Sequence, residues 1–222
     1  MLGNRNFVDD AQESLPPLQR LALSYAPAAM REIWAAFLAL DTRLAATVRQ
    51  ACEPMLGQLR LAWWRDRLSE DPARWPQGEP LLALLAPWQD GASALLPLVN
   101  GWEYMLGEAP LTTEALSAMA DGRAGAVAAI AAYAGTASAG DAAARLARGW
   151  ALADLAAHLS HPEEKAAAFR LMAAHDWSAA VLPRAMRPLI VLHGVARREA
   201  NTVHNGGVRA LLFAMRLGIL GR

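Results

Sequence analysis

Glu53-Pro54-Met55-Leu56-Gly57-Gln58-Leu59-Arg60-Leu61-Ala62-Trp63-Trp64-Arg65-Asp66-Arg67-Leu68 opens on a proline and then runs without a strong breaker. Proline suits the first position of a helix, where its missing N–H has no partner to lose. Leu, Met, Gln and Arg behind it are strong helix formers. The stretch therefore predicts a helix from Pro54 to about Leu68. Trp63 and Trp64 stand about 100° apart on such a helix, so they cannot point to the same place. One is expected in the core and the other against a cavity or a neighbouring helix. Arg60 lies one turn before Trp64, a spacing that suits a cation–π pair.

The surroundings read the same way. Alternating Val/Ile/Thr runs are missing, as are Asn-Gly hairpins between such runs, while Ala and Leu dominate. Upstream, Ile33, Phe37, Leu40, Leu44 and Val48 recur every three or four residues, an apolar stripe on one helical face. Pro16-Pro17 opens a short helix ending near Tyr25, and Pro27 opens the next. Further helices are predicted over Leu81–Leu85, Ala92–Leu106, Ala115–Tyr133 behind an N-cap at Thr112-Thr113, Asp141–His158, Pro162 onward, and Pro183/Pro188 to about Glu199. Val208, Leu211, Leu212, Met215 and Ile219 form a last stripe. No repeat of solenoid length is evident. The expectation is one all-α domain.

Composition narrows the functional classes. The chain has 222 residues, 55% of them hydrophobic, and a formal net charge of zero. That is a globular balance with ample core material, and it offers no general electrostatic case for nucleic acid. Cys52 is the lone cysteine and Lys165 the lone lysine. Neither an internal disulfide nor a Cys-based zinc site can form, and a reducing cytoplasm is the simplest setting. The opening Met1–Asp10 lacks the apolar core of a signal peptide. Ala124–Gly140 is uncharged, but too short and polar-spotted for a spanning helix. Between Arg184 and Arg222 arginines outnumber the single acid Glu199. With the Val208–Ile219 stripe, this suggests peripheral membrane contact through an Arg-rich C-terminal region.

Phe37-Leu38-Ala39-Leu40-Asp41 and the Trp-rich segment together resemble the squalene/phytoene synthase family, the all-helical head-to-head prenyl transferases. The resemblance runs from about Leu18 to Arg198 and is densest from Phe37 to Leu68. It implies an isoprenoid-synthase-like helical bundle around a central apolar cavity. It further implies two facing helices whose Asp-x-x-x-Asp pairs hold Mg²⁺ and a substrate diphosphate. At the first of these places the chain carries Ala45, Ala46 and Arg49; at the second it reads Ala153-Asp154-Leu155-Ala156-Ala157-His158. Both acidic pairs are largely erased. The likeness is closer still to the acid-poor branch of the family, where Glu53-Pro54-Met55-Leu56-Gly57 and Trp63-Trp64-Arg65 recur and a mitochondrial complex I assembly factor belongs. That branch implies binding or assembly, at an inner-membrane surface, with no cofactor. Asp121-Gly122-Arg123-Ala124-Gly125-Ala126 matches a family position on a small-residue central helix that leaves room for an isoprenoid chain, although small residues equally permit close helix packing.

Several residues remain candidates. Asp41 falls on or beside the inward stripe, as a surviving ligand or, more in keeping with buried acids, as the partner of an arginine from another helix. Arg49, Arg60 and Arg123, with Arg43 and Arg65, are candidates for a metal-free anion pocket, because a guanidinium matches phosphate oxygens. The plainer alternative is that they solvate helix faces or bridge Glu53 and Asp66. Trp63 and Trp64 are candidates to line the cavity. Asp154 and His158 are i, i+4, with His161 following, a weak transition-metal set that a capped helix end explains as well.

Three functions follow as expectations. The first is a non-catalytic squalene/phytoene synthase-like protein that binds an isoprenoid or quinone-type lipid, or a protein partner. The second is a prenyl transferase with a non-standard Mg²⁺ site built from Asp41, Asp154 and His158. The third is a helical scaffold with a closed core.

Overall fold

The computed structural model describes residues 13–201 apart from residue 52. Among the described residues the chain forms α1 (Pro17–Ser24), α2 (Ala28–Arg49), α3 (Pro54–Ser69), α4 (Pro80–Leu85), α5 (Leu96–Glu103), α6 (Thr113–Tyr133), α7 (Gly140–His158), α8 (Pro162–Ala174) and α9 (Arg187–Asn201). No strand occurs among them. The protein is an all-α bundle. The stripe at Val208–Ile219 and the arginines beyond residue 201 lie outside the described residues.

Local chemistry fixes most helix starts. Proline occupies the first turn of α1, α3, α4, α5 and α8. Thr112 Oγ1 accepts the Ala115 N–H at 3.2 Å, and Glu79 Oε1 accepts the Leu81 N–H at 3.1 Å. Each such cap satisfies one donor the helix leaves open, worth about 1 kcal/mol.

One expected helix is divided. The sequence predicts one helix over Ala92–Leu106, but Ala86–Leu95 is 3₁₀, α5 covers only Leu96–Glu103, and Tyr104–Leu106 is 3₁₀ again. Pro97 has no N–H to continue an α ladder from upstream and its ring crowds the preceding turn, so it starts a helix and cannot sit inside one.

The core is centred on α2, where Trp34, Phe37, Leu38, Leu40 and Leu44 are fully buried. Phe37 meets Trp34 and Trp150 edge-on at 5.8 and 6.4 Å, which ties α2 to α7. Helices α6 and α7 share the most extensive packing, followed by α5 and α6. At the α5–α6 crossing a Cβ on Gly122 would stand 2.3 Å from the Pro97 carbonyl oxygen. On this face the small residues of α6 serve close backbone packing, the other of the two uses open to them in the sequence.

Helix α3 has two apolar faces. Gly57, Leu61, Trp64 and Leu68 pack inward, while Met55, Leu56, Leu59 and Trp63 are exposed. The tryptophan pair divides as its angular offset requires: Trp64 is 4% exposed and Trp63 36%. Among the described residues no single helix is long and apolar enough to cross a membrane.

Candidate functional site

Three helices carry one charged residue each into the interior: Asp41 from α2, Arg123 from α6 and Asp154 from α7. The Arg123 guanidinium bridges the acids, with Nη2 3.0 Å from Asp41 Oδ2 and Nη1 3.0 Å from Asp154 Oδ2. Trp102 of α5 donates its indole N–H to Asp41 Oδ1 at 2.8 Å. The guanidinium carbon lies 4.5 Å from the Trp150 ring centroid and 5.8 Å from that of Trp102, so the cation is sandwiched by aromatic rings as well as acids. Asp41 and Arg123 are each 2% exposed. The buried acid is paired with an arginine from another helix, the more ordinary of the two roles open to it.

The network continues to the surface. His158, the last residue of α7, places Nδ1 3.3 Å from Asp154 Oδ1 and 2.8 Å from the Asp154 carbonyl oxygen. From Trp102 outward the order is Asp41, Arg123, Asp154, His158, with charges alternating in sign.

Protonation follows from these contacts. Burial pushes the Asp41 carboxyl above its ordinary value, against the pull of Arg123 and the Trp102 N–H. Arg123 loses solvation too, but the two carboxylates more than offset this and hold it protonated. Burial would also raise Asp154, yet Arg123 and His158 outweigh it and hold the carboxyl down at about 2. Hydrogen bonding to the Asp154 side chain and backbone raises His158 to about 9, so the imidazole is charged at neutral pH.

These residues flank a cavity of about 170 Å³ whose wall includes Asp41, Ala45, Val48, Arg49, Trp102, Met105, Arg123, Asp154, Leu155, His158 and Leu159. Of the sequence candidates, Asp41, Arg49, Arg123, Asp154 and His158 thus meet at one place. Arg60, Trp63 and Trp64 do not reach it. They line a separate surface depression of about 260 Å³ with Arg43, Thr47 and Glu79. There the stacked cation is Arg67, 5.9 Å from the Trp63 centroid. Arg43 pairs with Glu79 at 3.5 Å, and Arg65 reaches Glu103 and Asn100 of α5, a connection between helices where a bridge to Glu53 or Asp66 was expected.

The donor set does not suit Mg²⁺. That ion wants near-octahedral oxygen ligands with free lone pairs, whereas the acids on α2 and α7 both coordinate the guanidinium fork. His161 is drawn away to cap α8, accepting the Glu163 N–H at 3.3 Å. Among the described residues no group of three His, Cys, Asp or Glu side chains converges. Arg123 is likewise not free for a substrate anion, because both its carboxylate partners already hold it.

Sequence reasoning named Asp41, Arg123 and Asp154 without joining them to one another, and it missed Trp102 and Trp150. The available signal was the lone arginine in an apolar stretch of α6, matched by lone acids in the apolar stretches of α2 and α7. A second polar cluster was missed altogether. His193 of α9 is 4% exposed, with Nδ1 3.0 Å from the Leu146 carbonyl oxygen of α7, and it stacks on Trp177 at 5.5 Å. Its Nε2 and that of His175 are buried without a hydrogen-bond partner. Gly149 makes the room: a Cβ there would stand 2.7 Å from His175 Nε2 and 3.2 Å from His193 Nδ1.

Comparison of the chain with family models, with curated proteins and with solved structures gives no match.

Proposed function

We propose that this chain is a non-catalytic squalene/phytoene synthase-like protein that binds an isoprenoid or quinone-type lipid and does not ionise a diphosphate. The observation that carries the reading is the guanidinium of Arg123 lying between Asp41 and Asp154. In the enzymes the sequence resembles, the corresponding helices hold divalent cations; here a side chain bound to the fold supplies the positive charge. Loss of one preorganised electrostatic contact costs a reaction about a hundredfold to a thousandfold. A site with its acids committed to an arginine lacks most of that apparatus. The mostly apolar wall of the cavity supports retention of a lipid-binding role. Its volume, close to the roughly 150 Å³ that accommodates a benzene ring, fits on the order of one five-carbon isoprenoid unit, so a longer chain would extend past the mouth.

The test is titration with farnesyl diphosphate in Mg²⁺ and in EDTA, with an assay for released diphosphate. The expected result is binding indifferent to Mg²⁺ and no release. Mg²⁺-dependent binding with diphosphate release, both lost in an Asp41→Asn/Asp154→Asn variant, would establish the prenyl transferase instead.

A second reading, a scaffold in the assembly of a membrane respiratory complex, has one observation in its favour. Met55, Leu56, Leu59 and Trp63 are left exposed on one side of α3, more apolar surface than an isolated solvated helix face needs.

A further inference from the structure

We infer that residues 208–219 fold back as an amphipathic helix over the exposed apolar side of α3, made by Met55, Leu56, Leu59 and Trp63. The inference goes beyond the lipid reading and stands without it. A protein partner at α3, as in the second reading, would first have to displace this segment.

The surface is apolar at its centre and acidic at its ends. Met55 is 69% exposed and Leu59 62%, with Leu56 and Trp63 beside them, on the side of α3 opposite the buried Leu61 and Trp64. Their spacing puts the four on one helical face, and large apolar side chains grouped in this way mark a contact surface. Glu53 stands just before this patch and Asp66 one turn after it. Both are exposed, and neither carboxylate has a basic partner among the described residues. Arg60 is exposed on one flank, while Arg67 is held by Glu70 at 2.7 Å. The free charge around the patch is thus negative on balance. Anionic lipid would meet a carboxylate at each end of it, and a second copy of α3 would set like acids against each other.

The chain beyond residue 201 offers the complement. Val208, Leu211, Leu212, Met215 and Ile219 recur every three or four residues, and the run 208–219 equals 55–66 in length. Arg209 and Arg216 fall on one edge of that stripe, and no acid follows Glu199. Apolar side chains would cover apolar ones, with arginines brought to the unpaired acids.

The connection fits as well. Near the end of α9, Glu199 feels the Asp154 carboxylate of α7. At the end of α7, His158 feels Arg49, the last residue of α2. A Cβ on Gly57 of α3 would stand 3.1 Å from the Ala51 side chain. The ends of α9, α7 and α2 and the start of α3 therefore share one end of the bundle. Residues 202–207, closing on Gly206-Gly207, extend to about 20 Å, on the order of two helix diameters.

The test is hydrogen exchange of the full chain read by mass spectrometry, in wild type, Leu59→Gln and Asp66→Lys. Each is measured at two protein concentrations, alone and with vesicles of phosphatidylcholine and phosphatidylglycerol. Both side chains face solvent, so α3 itself should be undisturbed, which circular dichroism verifies. In wild type without vesicles, the amides of 208–219 are expected to exchange more slowly than an unstructured chain, equally at both concentrations. Leu59→Gln should speed them about tenfold, the order set by losing the burial of one large apolar side chain. Asp66→Lys should speed them less, and the difference should fade in high salt. Exchange at unstructured rates in wild type overturns the inference. So does protection that neither variant changes, which places the segment elsewhere. Protection that grows with concentration assigns the face to a second copy, and protection that appears only with vesicles assigns the segment to a membrane; either result overturns it too.

Discussion

Two histidines beside helix α7, one its own and one from α9, stand in opposite states. At its C-terminal end His158 is raised to about 9; near its middle, His193 packs against it from α9 and is lowered to about 4. What differs is the partner. His158 has a carboxylate and a carbonyl, and its ring is open to water, so the charge is welcome. His193 has a single carbonyl, a tryptophan face and burial, so the charge is expelled. The same contrast explains why Arg123 can stay ionised deep inside: two acids and the rings of Trp150 and Trp102 complete its surroundings. Burial decides protonation only where compensation is missing.

The contrast can be broken most severely at Arg123. Arg123→Met would leave Asp41 buried with no counter-charge, and breaking a buried pair in this way costs about 3–5 kcal/mol. Urea denaturation should show that loss, and adding Asp41→Asn with Asp154→Asn should recover part of it. A loss below about 1 kcal/mol, the range of exposed pairs, would mean the triad contributes nothing beyond a surface bridge.

A smaller effect is expected in mild acid. His193 has a folded pKa of about 4 against an ordinary 6.5. Between those values the unfolded chain binds the proton and the folded one does not, so stability is full above the upper value and falls as pH drops toward the lower. The loss amounts to about 3 kcal/mol. Melting temperature followed from pH 7 to 4 should decline over that window in wild type and much less in His193→Gln. An equal decline in both would place the acid sensitivity elsewhere. Asp154 does not confuse the result, since its pKa of about 2 puts its loss at lower pH.

The mildest change sharpens the other half of the contrast. In Asp154→Asn, the NMR titration of His158 should move from about 9 toward 6.5, because the carboxylate that raises it is gone. Stability should change less through His158 than through Arg123, as the imidazole is exposed and solvent screens it. A titration that stays high in the variant would show that the helix terminus alone sustains the charge.

Much of the fold was legible because it is written locally. Pro54 and Pro162 mark helix starts, Thr112 caps α6, and the three-four spacing from Ile33 to Leu44 identifies the buried face of α2. The interruption at Pro97 was also local, but a proline early in a helix and a proline that starts one look alike in sequence. The site was legible only in parts. Asp41 could be placed on an inward face and expected to need an arginine, yet Arg123 lies 82 residues away and nothing between them fixes which arginine arrives. Gly149 and Gly122 posed the same difficulty. Their purpose lies in what crosses them, His175 with His193 and the Pro97 carbonyl, and that is settled by helix packing.

The central claim, that the Arg123 guanidinium fills the place a divalent cation would take, is tested most directly by Mn²⁺ titration followed by electron paramagnetic resonance. The account predicts that the signal of free Mn²⁺ persists undiminished when the protein is added. Stoichiometric loss of that signal, restored by Asp41→Asn, would contradict it.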